Sequence, residues 1–445
     1  MNNLIYTTIG YDVKWFNVIK LLLKSLSKCS SPYTFDFLII CDNNLYTHIN
    51  NHIKTNSYNG LNIKLYCLPF NSSKPDIASI NKLRVFDWSE IDSYNKIMFV
   101  DGDILCNTNM NTFFNNKMED NILYVYKECE TMDKHENLYW GLQNYTREEL
   151  ETFVLYQIYP FNCGLFLFNN TNEMKDDFHN ILNMIDTYEK EYFYEQSFMN
   201  YYFNKKRNVN YTIFTKDNYK LFPDLHTEYD NMIIHFTGAS DVNKLTKIEN
   251  YYNSYFVQKF DNRKDMLSFY INKLDNPVIS EIGVFRGEFL DYIYSHPNIS
   301  SIDAIDLFEG TTCSGNADGN YVVYYDMNKS YNELLEKYNN TNVKLHKSDS
   351  STFLNNVPDN YYDIIYIDGD HSYEGAKKDL HSAYKKIKPN GYIMGHDYEM
   401  NMNKAKTYYN FGVKYAVDDF CKIYDQQLDA KANDGCVSFC IQVNK

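Results

Sequence analysis

Two carboxylates close an apolar run: Asp101-Gly-Asp103 follows Ile97–Val100. A strand ending there would set both acids at the carboxyl edge of a sheet. Oxygen ligands at that edge can gather one hard divalent cation and share it with a substrate's phosphates. Alone, the pair reads more readily as an acidic turn. A second string, Glu281-Ile-Gly283-Val-Phe-Arg-Gly287, has a strand-ending acid and glycines at i and i+4 that let the backbone approach a ligand closely. Asp306 lies roughly 20 residues beyond, the offset at which an acid meets ribose hydroxyls. The glycine spacing departs from GxGxxG, which argues against a nicotinamide or flavin cofactor. A third concentration is Asp368-Gly-Asp370-His371 with His396-Asp397, each following an apolar run.

Two alternating strand–helix blocks must position these residues, a pattern that predicts an α/β chain with largely parallel sheets. In the first, strands are expected at Leu4–Thr8, Phe35–Cys41, Ile63–Leu68, Lys96–Val100, Gly164–Phe168 and Met232–His235, with an amphipathic helix over Val13–Leu26. In the second they are expected at Val278–Ile282, Ser301–Ile305, Val343–His346, Asp363–Ile367 and Tyr392–Met394, with helices over Met266–Leu274 and Tyr373–Ile387. The polar, Tyr/Asn-rich stretch between them places a boundary near Gln258, dividing the chain into domains 1–258 and 259–445.

The first block resembles the glycogenin-like, family-eight glycosyltransferases of the GT-A fold. The resemblance rests on Lys82-Leu-Arg84, Tyr94-Asn-Lys96 and Asp101-Gly-Asp103, then Phe161-Asn162-Cys-Gly164, Glu195-Gln196 with Asn200, and His235-Phe-Thr-Gly238. It implies a UDP-sugar donor, Mn²⁺ or Mg²⁺ held by Asp101, Asp103 and His235, and uridine on Tyr6-Thr7-Thr8. It also implies Lys82 beside the donor, and Gln196 and Asn162 near the reacting carbon of a retaining transfer to a glycan acceptor. Two departures stand out: Glu195 where the family has Asp, and Asp241 where it has a Lys, with Lys244 three residues on. Read only as a helical Lys-x-Arg, Lys82 and Arg84 would form a solvated face.

The second block resembles class I S-adenosylmethionine-dependent methyltransferases, a Rossmann-like fold, and within them the metal-dependent O-methyltransferases that include enzymes acting on sugars. Glu281, Gly283, Gly287 and Asp306 match its cofactor motif, and Ser348-Asp349-Ser350 its adenine-contacting loop. The resemblance implies a metal at Asp368 and Asp397, with His396 where some relatives carry a second acid, and His371 as base. The alternative is that Asp368 only orients methyl donor or substrate, with no metal.

The 445 residues carry 43 Lys and Arg against 58 Asp and Glu, a net charge of −15. That balance argues against a nucleic-acid partner, whose phosphates call for a basic face. No run approaches the roughly 18 apolar residues of a spanning helix, and scattered cysteines without a leader suit a cytoplasmic chain. The joint expectation is a bifunctional glycan enzyme, one half transferring a sugar and the other methylating a hydroxyl. The competing expectation is a first half that only binds nucleotide or glycan, fused to a methyltransferase for a small molecule or a protein.

Overall fold

The computed structural model describes residues 2–56, 58–128, 145–187, 194–237, 243–315, 322–400 and 412–445. The chain divides into two compact units, Met1–Phe256 and Val257–Lys445.

In the first unit the strands are β1 (Asn3–Ile9), β2 (Phe35–Cys41), β3 (Ile63–Cys67), β4 (Lys96–Val100), β5 (Ile104–Cys106), β6 (Leu123–Lys127), β7 (Phe161–Asn169), β8 (Val209–Asn210), β9 (Tyr219–Leu221) and β10 (Ile233–His235). Seven form a sheet in the order β3-β2-β1-β4-β7-β6-β8, and β5-β10-β9 form a small second sheet. The central strands are largely apolar because both faces are covered. In β1, Ile5 and Ile9 enter one core while Leu4 and Tyr6 enter the other; in β4, Met98 and Val100 part from Ile97 and Phe99 in the same way. Alternation along a strand does this automatically. The expected first helix begins as a 3-10 turn, Val13–Trp15, and continues as Phe16–Cys29. From β1 the chain proceeds outward through β2 and β3, then returns to β4 on the other side of β1. Such a reversal favours a ligand crevice at the carboxyl ends of β1 and β4.

The second unit repeats the device. Its strands are β11 (Gln258–Phe260), β12 (Val278–Ile282), β13 (Ser301–Asp306), β14 (Thr311–Gly315), β15 (Val322–Asp326), β16 (Val343–Lys347), β17 (Tyr362–Ile367), β18 (Ile387–Met400), β19 (Ala430–Asn433) and β20 (Cys436–Gln442). Eight form one sheet, β11-β19-β20-β18-β17-β12-β13-β16, and β14 and β15 form a hairpin. The order reverses between β12 and β17. Strand β20 runs antiparallel to β18, so its first residues lie at the edge where β18's functional residues emerge. The Tyr373–Lys386 helix starts at Ser372, whose hydroxyl accepts the Gly375 N–H at 3.1 Å. No helix among the described residues is long and apolar enough to cross a membrane.

Candidate active sites

In the first unit, β4 delivers Asp101 and Asp103, and β10 ends on His235. One ligand atom from each lies within 4.8 Å of the other two. His235 Nε2 stands 3.1 Å from Asp103 and 3.8 Å from Asp101. Its other nitrogen, Nδ1, is 2.5 Å from the Tyr219 hydroxyl, which also reaches Asn162 Oδ1 at 3.3 Å. An engaged Nδ1 aims Nε2 at the acids, the arrangement typical of a metal-bound histidine. Gly164 on β7 makes the convergence possible: a Cβ there would lie 2.2 Å from the His235 ring and 2.9 Å from Asp101 and Asn162. Two carboxylates and an imidazole with its second nitrogen tied suit Mn²⁺ or Mg²⁺.

Two lysines balance the acids. Lys244 contacts Asp103, and Lys82 stands 3.6 Å from Asp101 and 3.0 Å from Glu195. Lys82 is no solvated face: it is 2% exposed, on a 3-10 helix over Ile80–Asp87, with its ammonium 4.6 Å over the Phe99 ring. Burial opposes its charge, but Asp101 and Glu195 more than compensate, raising its pKa. Burial likewise opposes the Asp103 carboxylate, yet Lys244 and His235 hold that acid well below its ordinary range. Asp101 is moved the other way, upward, chiefly by burial. Glu195, where an Asp was expected, accepts from Ser79 at 2.6 Å as well as pairing with Lys82.

The expected uridine strand is mostly inside the protein. Tyr6 and Thr7 are fully buried, because β1 lies between β2 and β4 with cores on both faces. Tyr6 donates its hydroxyl to the Lys82 carbonyl at 2.8 Å, so it positions the lysine from within the core. Thr8, at the crevice end, is the partly exposed member of the three. Asn162 is buried, accepting the Gly164 N–H and donating to Glu128 at 3.1 Å, while Gln196 Oε1 accepts the Cys163 N–H at 3.2 Å. Gly238 and Asp241 lie outside the described residues.

In the second unit, Gly283 has φ +86° and a Cβ there would fall 2.1 Å from the Asp368 carbonyl oxygen, so the β12 turn closes against the end of β17 only through glycine. Gly287 has φ +80°, with Leu334 filling the space a side chain would need. Glu281 is 1% exposed, and one carboxylate oxygen has no hydrogen-bond partner. Burial, with Asp368 nearby, pushes its pKa well up. An orphaned acid beside a glycine cradle suits a ligand with a cationic amino group, as S-adenosylmethionine has. Asp306 shapes the turn, accepting the N–H groups of Val284, Phe285 and Phe308 at 2.8 to 3.0 Å. Asp349, in the loop expected to meet adenine, caps the Ser350–Asn355 helix through Thr352 and pairs with Lys378 at 2.8 Å.

At the ends of β17 and β18, His371 Nδ1 is 2.9 Å from Asp397. Burial would lower the His371 pKa, but the bond to Asp397 more than reverses it and the net shift is upward. Asp397 has φ +56°, sparsely populated backbone that turns its side chain inward. Ligand atoms group in two sets sharing this acid: Asp368, His371 and Asp397, and His396, Asp397 and Cys436. The expected trio of Asp368, Asp397 and His396 falls across these two sets, and Arg263 pairs with Asp368 at 3.1 Å.

A family match decides the ancestry. The sequence fits the family described as glycosyl transferase family 8 over residues 16–268. The chain belongs to glycosyl transferase family 8. Residues 280–398 of this family 8 chain match a second family, described as a methyltransferase domain. The fold is α/β in two domains, GT-A-like and then methyltransferase-like. An uncharacterized protein of Acanthamoeba polyphaga mimivirus is 28% identical over 127 residues, covering 28% of this chain and 53% of the relative. The chain thus spans about half of that relative's length. Among solved structures, WbbM bifunctional glycosyltransferase is 12% identical over 56% of this chain and 49% of its own, at TM-score 0.40. The galactosyltransferase LgtC, solved with donor and acceptor sugar analogs, is 12% identical over 57% of this chain and 96% of its own, at TM-score 0.38. A SAM-dependent methyltransferase from Aquifex aeolicus is 16% identical over 41% and 90%, at TM-score 0.30.

Four residues escaped the motif reading of this family 8 chain: Tyr219, Glu128, Arg263 and Cys436. Each reaches its site from a different element than the motif it serves. Only Cys436 left a trace in the sequence, as half of the closest cysteine pair, with Cys440.

Proposed function

We propose that this chain is a bifunctional glycan-modifying enzyme, with sugar transfer in residues 1–258 and hydroxyl methylation in 259–445. The observation that carries the reading is that each unit gathers acids and a histidine at the carboxyl edge of its sheet, beside the strand where the order reverses. Asp101, Asp103 and His235 would hold Mn²⁺ or Mg²⁺ against the diphosphate of a UDP-sugar. The ion, when bound, supplies neutralising charge for the departing nucleoside diphosphate. Lys82 and Lys244 add fixed positive charge around the same acids. Asn162 on β7, and Gln196 bonded to the same strand, would keep the sugar side of the crevice rigid.

In the second unit, S-adenosylmethionine, when bound, supplies the electrophilic methyl group. Glu281 would hold its amino group and Asp306 the loop around its ribose. His371, its Nδ1 engaged by Asp397, would take the acceptor hydroxyl's proton at Nε2. A raised pKa makes His371 the stronger base, provided it is deprotonated when the acceptor arrives. Joining both steps in one chain raises the effective concentration of a glycan at the second site.

The test uses the full chain with a panel of nucleotide sugars and a labelled methyl donor. UDP release should depend on added metal and vanish in Asp103→Asn; methyl transfer should vanish in Asp397→Asn. Activity that survives both substitutions rejects the reading. One observation favours a binding-only first unit: Lys244 contacts an acid of the ion site, so a lysine partly supplies the charge an ion would bring. Metal-dependent UDP binding without turnover across the whole panel would establish that alternative.

A further inference from the structure

Among the described residues, the His396–Asp397–Cys436 group is the one cluster at the methyltransferase edge that contains sulfur, and Cys436 lies beyond the matched methyltransferase region, which ends at 398. Cys436 opens β20, and the antiparallel run of β20 along β18 carries its thiol to the residues that end β18's inner stretch. Each partner is already oriented. His396 Nδ1 lies 2.8 Å from the Ser438 hydroxyl, also on β20, leaving Nε2 turned toward Asp397 Oδ1 at 3.8 Å. That separation is too long for a hydrogen bond. It is near the edge of a tetrahedron whose bonds are about 2.0–2.3 Å, which spaces ligand atoms by roughly 3.3–3.7 Å. Asp397 Oδ2 faces the other way, to His371, so one carboxylate can serve an ion and the base at once. Asp368 is held by Arg263 and stands outside this trio.

We propose that His396, Asp397 and Cys436 form a thiolate-bearing metal site that selects a borderline divalent ion such as Zn²⁺ over Mg²⁺. A soft sulfur, an imidazole and one carboxylate oxygen suit zinc or cobalt, whereas hard magnesium has little affinity for a thiolate. The proposal deepens the methyltransferase reading by naming the ion class at the same edge, yet metal ligation can be measured without any methyl acceptor. It also leaves His371 outside the ligand set, available as a base.

Cobalt reports on sulfur ligation directly. The full chain, stripped with chelator, is titrated with Co²⁺ in excess Mg²⁺ and followed in the near-ultraviolet for a thiolate-to-cobalt charge-transfer band. The first unit's Asp–Asp–His group has no sulfur and cannot produce that band. We expect the band in the native chain and in Asp368→Asn, and its loss in Cys436→Ser and His396→Ala. Its absence from the native chain, or its survival in Cys436→Ser, overturns the site. Should Cys436→Ser fail to fold, alkylation of the native chain decides: Zn²⁺ should suppress labelling of Cys436 in the mass spectrum and Mg²⁺ should not. Equal labelling in both ions overturns the proposal. A clear band in a protein that methylates nothing would keep the metal site and reject the methyltransferase reading, so the two fail separately.

Discussion

At the scale of single residues, the buried pair of Lys82 and Glu195 shows how chemistry and stability share a side chain. Lys82 touches both Glu195 and Asp101 at the mouth of the crevice, with 3% of its side chain exposed. Removing one member of a buried pair leaves the other charge uncompensated, a loss of about 3–5 kcal/mol. Lys82→Met should therefore lower unfolding stability by that order. The double variant Lys82→Met/Glu195→Leu should recover much of it, and denaturant melts of the three proteins check this. Tyr219 works at a distance. Tyr219→Phe removes the partner of His235 Nδ1 and should weaken Mn²⁺ binding by about 10–100-fold, read by titration calorimetry with UDP present. Burial of Lys82 was not legible in the sequence, because a helical Lys-x-Arg looks the same whether it faces water or an acid three segments away. The burial of Tyr6 has a related cause: the strand's place in the sheet, between two neighbours, decides whether a side chain meets ligand or core.

At the scale of elements, the strands were far more legible than the turns that arm them. β2, β4 and β12 have the bounds their apolar runs suggest, since continuous β-branched and aromatic stretches between polar breaks leave few alternatives. The β12 turn was legible too, through its glycines. Gly283→Ala would place a methyl group against the Asp368 carbonyl at φ +86°, a strained geometry costing of order 1–3 kcal/mol. It should also abolish binding of S-adenosylhomocysteine, measured by calorimetry on a variant whose far-UV spectrum is native. Asp379, on the Tyr373–Lys386 helix, offers a pH test away from either ligand cluster. Burial is the main cause of its pKa rising to about 6, against the Ser350 hydroxyl that donates to it. A carboxyl raised in the fold binds its proton more tightly folded than unfolded. Its contribution is complete below about pH 4 and is lost as pH climbs through 6, a loss of about 3 kcal/mol. Asp379→Asn should flatten that fall and leave the protein more stable at pH 7, in denaturant titrations from pH 4 to 7.

At the scale of the whole molecule, two sheets each reverse their order once, and each reversal is armed from both sides. The residues that arrive from elsewhere in sequence — Tyr219 and Arg263 among them — were invisible to motif reading because only the sheet order makes them neighbours. Two families within one chain were legible because each motif sat at its own strand end. The separate ligand groups make a further expectation: Asp103→Asn and Asp397→Asn should each silence one reaction and leave the other at its native rate, because each acid serves the group of its own unit. Parallel assays of both variants with both donors check it. A substitution that lowers both rates together would mean the two units are energetically linked.

Gly164 has one more implication. Its strand, β7, is packed by the cores at nearly every position, and at this one position it is shaped by an atom that is missing. Packing and catalysis thus read the same nine residues at different places, and a slip of one residue would spoil both together. The loops around this site are free to vary, but the strand beneath is locked. Laboratory diversification aimed at β7 should yield unfolded proteins far more often than new specificities.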